Sequence, residues 1–360
     1  MQEKYSRRYL VDTAIGLQDV DGIKNSEYFL KLSEQYVAGK ISIRRFSDLI
    51  DKYYEKKEKR EDRSDEADKV SKNMIDLLSN DNFVFSIGQL QTIHKELFTG
   101  VIDNAGLFRT YNIEKKEWVL NGDTVIYGDY RELHDLLSFD FESEKNFDYS
   151  KLNMDEKIVH LANFVSNIWQ AHAFSEGNTR TTSTFFIKYL TRLFKSLFTW
   201  FVTSYNSEAF SSFEEIIARF KINNCDVTND LFKQNSWYFR NALVRANYSN
   251  FPKNIYEDKQ YVVRFLRNLL LNENNKLSNR ELNVSYVSDA QEILSKLNPT
   301  QKMILDLFRN NKGIKVSDVA KYLNISLRTA ESQISKLKEL GIIERIDGKK
   351  YGYWEVKKWK

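Results

Sequence analysis

A single cysteine, Cys225, in 360 residues excludes an intramolecular disulfide framework and a zinc-thiolate cluster. It reads as a buried structural thiol. Proline is almost as scarce, with only Pro252 and Pro299. A chain with so few helix breakers, rich in Leu, Ile, Lys and Glu, is expected to be mainly α. Nowhere do about 18 apolar residues run uninterrupted, so no membrane partner is expected. The opening MQEKYSRRYL has no apolar core of the signal-peptide kind. The protein is therefore expected in the cytoplasm, unless a dedicated machine exports it. Internal repeats and low-complexity tracts are absent too.

What is present is unevenly spread. The net charge is +4, yet from Pro299 to Lys360 fourteen Lys and Arg face seven Asp and Glu, so the preceding chain is slightly acidic. Any nucleic-acid contact is therefore expected in the C-terminal segment. Three domains are expected: 1–72, 73–275 and 285–360. In the first, Phe29, Leu32, Tyr36 and Val37 recur at helix spacing after Ser26, Gly39 stops the pattern, and a second helix starts behind Ser42. That makes a helical hairpin. The run 55–72, EKKEKREDRSDEADKVSK, is dense in both signs and reads as a solvated helix or linker. In the second domain helical patterns are interrupted once, by FRTYNIEKKEWVLNGDTVIYGDY, where Asn121-Gly122 between β-branched and aromatic runs predicts a β-hairpin. Residues 199–223 read as an added loop and helix. The last 62 residues, from Pro299, predict three short helices and two strand-like runs about Asp347-Gly348, the winged form of helix-turn-helix.

The stretch WQAHAFSEGNTRTT, residues 169–182, connects two apolar-faced helices. If GNTR opens the second helix, its unpaired N–H groups form an anion-binding nest. Gly177 permits close backbone approach, Asn178 adds a polar group, and Arg180 can fork onto phosphate oxygens. Glu176 is a hard oxygen ligand suited to Mg²⁺ shared with phosphates. His172 could take a proton from an attacking hydroxyl. Base, metal ligand, nest and clamp together make a site for phosphoryl or nucleotidyl transfer. Other readings stay open: a hydrogen-bonded core histidine, and an ordinary i,i+4 ion pair of Glu176 with Arg180. Zinc would need a second His or Cys nearby, and none lies there.

HAFSEGNTR, residues 172–180, resembles the H-x-F-x-[D/E]-G-N-x-R motif of the Fic (filamentation induced by cAMP) family. IHKELFTGVIDNAGLFRTYNI and YFRNALVRANY also resemble family segments, so the likeness spans about 75 to 270. It implies a helical domain with a β-hairpin flap that transfers AMP from ATP to a Tyr, Ser or Thr hydroxyl of a target protein, or of the chain itself. ATP is the implied co-substrate and Mg²⁺ the implied metal. Carried over, His172 is the general base, Phe174 a core anchor and Glu176 the Mg²⁺ ligand. Gly177, Asn178, Thr179 and Arg180 hold the nucleotide. Thr110, Tyr111, Asn112, Ile113, Glu114 and Val125 belong to the flap that pairs with an extended target segment. Ala173 replaces a frequent Pro and Thr179 a frequent Gly. Ser183 stands where many members carry a second Arg, the partner of an inhibitory glutamate.

The N-terminal hairpin resembles the antitoxin segment of the family, with Asp21, next to Gly22, in the place of that glutamate. With the acid shortened and the second Arg missing, the segment is expected to dock yet restrain ATP poorly or through another contact, so that deleting 1–50 changes self-modification little. In the C-terminal domain Arg328, Thr329, Ser332, Gln333 and Lys336 lie on the expected recognition helix, and Lys349 and Lys350 at the wing tip, facing duplex DNA. Protein docking or dimerisation is the alternative use of such a domain, and a homodimer stays open. Two alternatives to AMP transfer also remain: a nucleotide-sensing DNA-binding regulator or scaffold, and transfer from another phosphate-containing donor.

Overall fold

The computed structural model describes residues 7–55, 61–204, 231–286, 296–346 and 352–356, with the backbone alone over 194–204. The readings at Cys225, Asp347, Gly348, Lys349 and Lys350, and at 205–223 within the added segment, lie outside these residues. The described residues form two compact units, 1–284 and 285–360. As composition predicts, the chain is mainly helical.

In the first unit the helices are α1 (Arg7–Gly16), α2 (Glu27–Val37), α3 (Ile43–Tyr54), α4 (Ser64–Ser79), α5 (Ile87–Phe98), α6 (Leu133–Lys145), α7 (Met154–Ala171), α8 (Asn178–Ser204), α9 (Leu231–Ala246), α10 (Gln260–Leu271) and α11 (Asn279–Leu282). The N-terminal hairpin forms as expected: Ser26 and Ser42 cap α2 and α3 by accepting from the amides of Phe29 and Arg45. Phe29, Leu32, Tyr36, Phe46 and Ile50 close its core. What docks it is Asp68, a fully buried carboxylate of α4 that accepts from the amide and hydroxyl of Ser26 (2.9 and 2.5 Å), from the Tyr54 hydroxyl (2.6 Å) and from Asn25 (3.1 Å). Such a charge tolerates burial because each oxygen is hydrogen-bonded.

The charged run 55–72 is thus not a solvated linker throughout. From Ser64 it is the first half of α4, with Ser64, Asp65, Ala67, Asp68, Val70 and Ser71 buried. Its acids face fixed partners rather than water, which charge density alone does not disclose. α1 crosses α9 backbone to backbone: a Cβ on Gly16 would lie 2.3 Å from the Cα of Lys233, and the Ser236 hydroxyl donates to the Gly16 carbonyl at 2.6 Å. The next residues, Leu17–Asp21, form a 3-10 turn ended by Gly22 in the left-handed region.

The second unit contains α12 (Pro299–Asn310), α13 (Val316–Tyr322), α14 (Leu327–Glu339) and an antiparallel pair, β1 (Ile343–Ile346) and β2 (Tyr353–Val356), in register Ile343 to Val356 and Ile346 to Tyr353. Ile304, Phe308, Val319, Ile334, Leu337, Ile343 and Trp354 form its core, with Phe308 stacked on Trp354 at 4.7 Å. Three helices and a two-stranded wing are what the sequence predicts.

Candidate active site

α7 begins with a capping box between Asn153 and Glu156, buries Ile158, Leu161, Val165 and Trp169, and ends at His172, which is left-handed at φ 47°. A side chain with a Cβ adopts that conformation at a cost of roughly 1–2 kcal/mol, so something must hold it. Arg109 does. This buried side chain, just before the flap, donates to the carbonyls of His172 (2.8 Å), Ala171 (3.2 Å) and Tyr111 (2.6 Å), and to that of Gly128, while its own amide donates to Ala173 at 2.9 Å. A cation at the C-terminus of α7 also meets the negative end of the helix dipole. Arg109 therefore joins both stems of the flap to the end of the histidine's helix. It was quoted within the flap segment, yet spacing gives it no role.

The His172 ring is packed against Tyr127 (4.2 Å) and edge-on to Trp169 (5.2 Å). Its Nδ1 lies 3.3 Å from the Trp169 carbonyl. A carbonyl only accepts, so Nδ1 carries the proton and the lone pair is on Nε2. That atom is buried with no hydrogen-bond partner among the described residues. Burial first, then the cations Lys115, Arg240 and Arg109, hold the imidazolium well below the usual histidine range, against the Trp169 contact. The ring is a neutral base.

Residues 173–177 turn the chain from α7 into α8. Phe174 is buried, and the Asn178 side chain closes the loop by accepting from the Phe174 amide (2.9 Å) and donating to its carbonyl (2.7 Å). Both ends of the Asn178 carboxamide are thus spent on the loop rather than offered to a ligand, which leaves it the backbone N–H for the nest. Thr179 likewise accepts from the Trp169 indole at 2.9 Å. Gly177 has φ +69°, and a Cβ there would lie 2.2 Å from Phe98. Glycine is required on both counts. Glu176 is exposed, and among the described residues no cluster of three or more His, Cys, Asp or Glu surrounds it. One carboxylate without further protein ligands suits a cation that keeps waters and phosphates in its shell, as Mg²⁺ does.

Arg180 is buried over the Phe98 ring at 4.8 Å. Its guanidinium meets three acceptors from outside the motif: Gln18 Oε1 at 3.0 Å, Glu66 Oε1 at 2.8 Å, and Asp21 Oδ2 at 2.8 Å from Nε, an ion pair whose oxygen lies off the N–H axis. Arg63 pairs with the same Glu66 at 2.8 Å. Asp21 is where the resemblance puts an inhibitory acid, but its partner is Arg180 rather than a second arginine. Glu66 lies inside the charged run and gave no sequence signal. Ser183 is fully buried in α8, its hydroxyl without a hydrogen-bond partner among the described residues. Gly22 ends the turn that carries Asp21.

The flap departs from expectation. Asn121 (φ 56°) and Gly122 (φ 85°) make the predicted tight turn, but no strand forms on either side. The limbs are joined by Glu117 N–H to the Asp123 carbonyl (2.9 Å) and Lys115 N–H to the Thr124 hydroxyl (3.2 Å), with a 3-10 turn at Trp118–Leu120. The physical reason is inward traction: Glu117 is buried in a two-bond pair with Arg240 of α9 (2.7 and 2.8 Å), and Tyr248 donates to Asp123 at 2.6 Å. Thr110, Tyr111, Asn112 and Glu114 are exposed and Ile113 is half-buried, whereas Val125 is core and its neighbour Ile126 is exposed. In the second unit Arg328, Thr329, Ser332 and Lys336 are exposed on one helix. Thr329 bonds the Ser326 cap, and the half-buried Gln333 accepts from Asn298.

A helical unit that presents a neutral histidine, a helix-start nest and a buried arginine has the groups of a phosphate-handling site, and a separate unit has the shape of a helix-turn-helix. Residues 84–190 match the Fic/DOC family and residues 300–354 match an HTH domain. The chain thus carries a Fic domain followed by a helix-turn-helix domain, and a Fic domain points in general to nucleotide transfer. Among solved structures it is similar to a Fic family protein from Desulfovibrio desulfuricans G20, at 14% identity and TM-score 0.42, over 98% of this chain and 88% of that one. No curated protein matches it. No described helix is long and apolar enough to cross a membrane.

Proposed function

We propose that the protein is an adenylyltransferase that moves AMP from ATP onto a hydroxyl of a target protein. The observation that carries the reading is the unpartnered, buried Nε2 of His172 one short loop away from the Gly177–Asn178 nest. The polyphosphate lies on the N-terminal amides of α8, with Arg180 as its clamp. An extended target segment lies along 110–114, which sets its hydroxyl near His172. The hydroxyl oxygen attacks the α-phosphorus. A new O–P bond forms as the bond to the α,β-bridging oxygen breaks, pyrophosphate leaves, and the hydroxyl proton passes to His172 Nε2. Glu176 would hold Mg²⁺, which supplies charge neutralisation on the phosphates when bound.

Because Asp21 and Glu66 occupy Arg180, phosphate must displace them, and the N-terminal segment acts as a restraint by that contact. The exposed, basic face of α14 is assigned to duplex DNA. The transferase reading is tested with α-labelled ATP, Mg²⁺ and cell lysate. Label should appear on the chain or on a target and fall on the order of 10²–10⁴-fold with His172→Ala, the span usual for a general base. No His172-dependent label would overturn it, and label from a different donor alone would move the assignment to that donor.

A further inference from the structure

α5 presents two aromatic side chains four residues apart, His94 and Phe98, to the motif loop. Phe98 is the floor beneath Gly177 and Arg180. His94 is fully buried, stacked on Phe174 at 3.9 Å and 8°. Both of its nitrogens meet backbone. Nδ1 accepts from the Gly106 amide at 2.7 Å, and Nε2 lies 3.2 Å from the Glu176 carbonyl. An amide only donates, so Nδ1 is bare and the ring proton sits on Nε2, which donates to that carbonyl. Gly106 is fixed in turn, with φ +86° and a would-be Cβ 2.8 Å from Lys95.

The Glu176 carbonyl and the Gly177 amide belong to one peptide unit. In a trans peptide they point in opposite directions. We propose that His94 is a positioning residue of the phosphate nest: by holding the Glu176 carbonyl it turns the Gly177 N–H to the opposite side of the loop, toward the polyphosphate. The role rests on the transferase-site reading above, and deepens it. It also explains why a buried polar ring stands where a phenyl ring would pack as well between Phe174 and Phe98. A phenyl at this position would leave the peptide free to flip and the Gly106 amide unpaired.

The test uses the full chain with Asp21→Asn and Glu66→Gln, so that neither carboxylate holds Arg180, and magnesium pyrophosphate as the calorimetric probe. His94→Phe keeps the stacking and should weaken binding about tenfold, as expected when a nest donor is no longer aimed. The KM for a protein target should stay unchanged. His94→Gln keeps a donor near the Nε2 position and should recover part of the loss, which a purely structural role would not produce. Equal binding by His94→Phe, or no recovery by His94→Gln, overturns the proposal. A wild-type ring whose ¹⁵N spectrum shows the proton on Nδ1 overturns it as well, whether or not the variants fold. If pyrophosphate binding depends on His94 while no nucleotide is ever transferred, the reading of the reaction fails and the positioning role stands. A parent chain that binds no pyrophosphate overturns both.

Discussion

Three cations act on the imidazole of His172: Lys115 on the flap, Arg109 at its stem and Arg240 on α9. Each disfavours the imidazolium, as does burial, and only the Trp169 carbonyl favours it. A base whose proton affinity is lowered stays in its working form as pH falls, so the acid limb of kcat/KM should lie below the ordinary histidine value of about 6.5. Lys115→Met removes one opposing cation and should move that limb upward. A limb above 7 in the wild type, or a downward shift in the variant, would contradict the assignment. His172, Glu176, Gly177 and Arg180 were legible in the sequence because their spacing is the motif itself. Arg109, His94 and Glu66 were not. Arg109 and His94 bind backbone groups, which carry no sequence identity, and Glu66 meets Arg180 across 114 positions. An isolated arginine before the flap and a histidine on the apolar face of α5 were the signals available.

Helix boundaries could be read because their caps are local: Ser26, Ser42, Ser86 and Ser326 each accept from the amide three residues on. The flap could not, since its turn is local but its limbs are pulled inward by Arg240 of distant α9 and by Tyr248 just beyond it. α14 is the element on which a second prediction rests. Its exposed Arg328 and Lys336 lie on the helix assigned to duplex DNA, while Gln333 is partly committed to Asn298. If both cations contact phosphate, Arg328→Glu with Lys336→Glu should weaken duplex binding. The slope of log K against log salt should also shrink by about two contacts' worth, near 0.9 each. An unchanged slope, or no salt-sensitive binding by the wild type, would leave the helix-turn-helix unit with protein docking instead.

At the scale of the whole molecule, the N-terminal segment is continuous with the domain it touches. Tyr9, Leu10, Val11, Ala14 and Leu17 share one core with α4, α5 and α9, so deleting 1–50 would unroof that core as well as remove a contact. The cleaner probe is charge. Asp21 reaches Arg180 because α1 crosses α9 at Gly16 and the following 3-10 turn ends at Gly22; Glu66 reaches it because α4 runs alongside. A shortened acid and a missing second arginine had implied poor restraint or restraint through another contact, and the acids have the phosphate clamp itself as partner. The Glu66 contact is a charge-assisted hydrogen bond, worth about 1.5–3 kcal/mol, the Asp21 contact is an ion pair off the N–H axis, and ATP must compete with both. Asp21→Asn with Glu66→Gln should therefore tighten ATP binding and raise self-modification about tenfold, at unchanged fold by circular dichroism, with each single variant giving less. Labelling no faster than wild type would show that the acids steady Arg180 for catalysis rather than withhold it from the nucleotide.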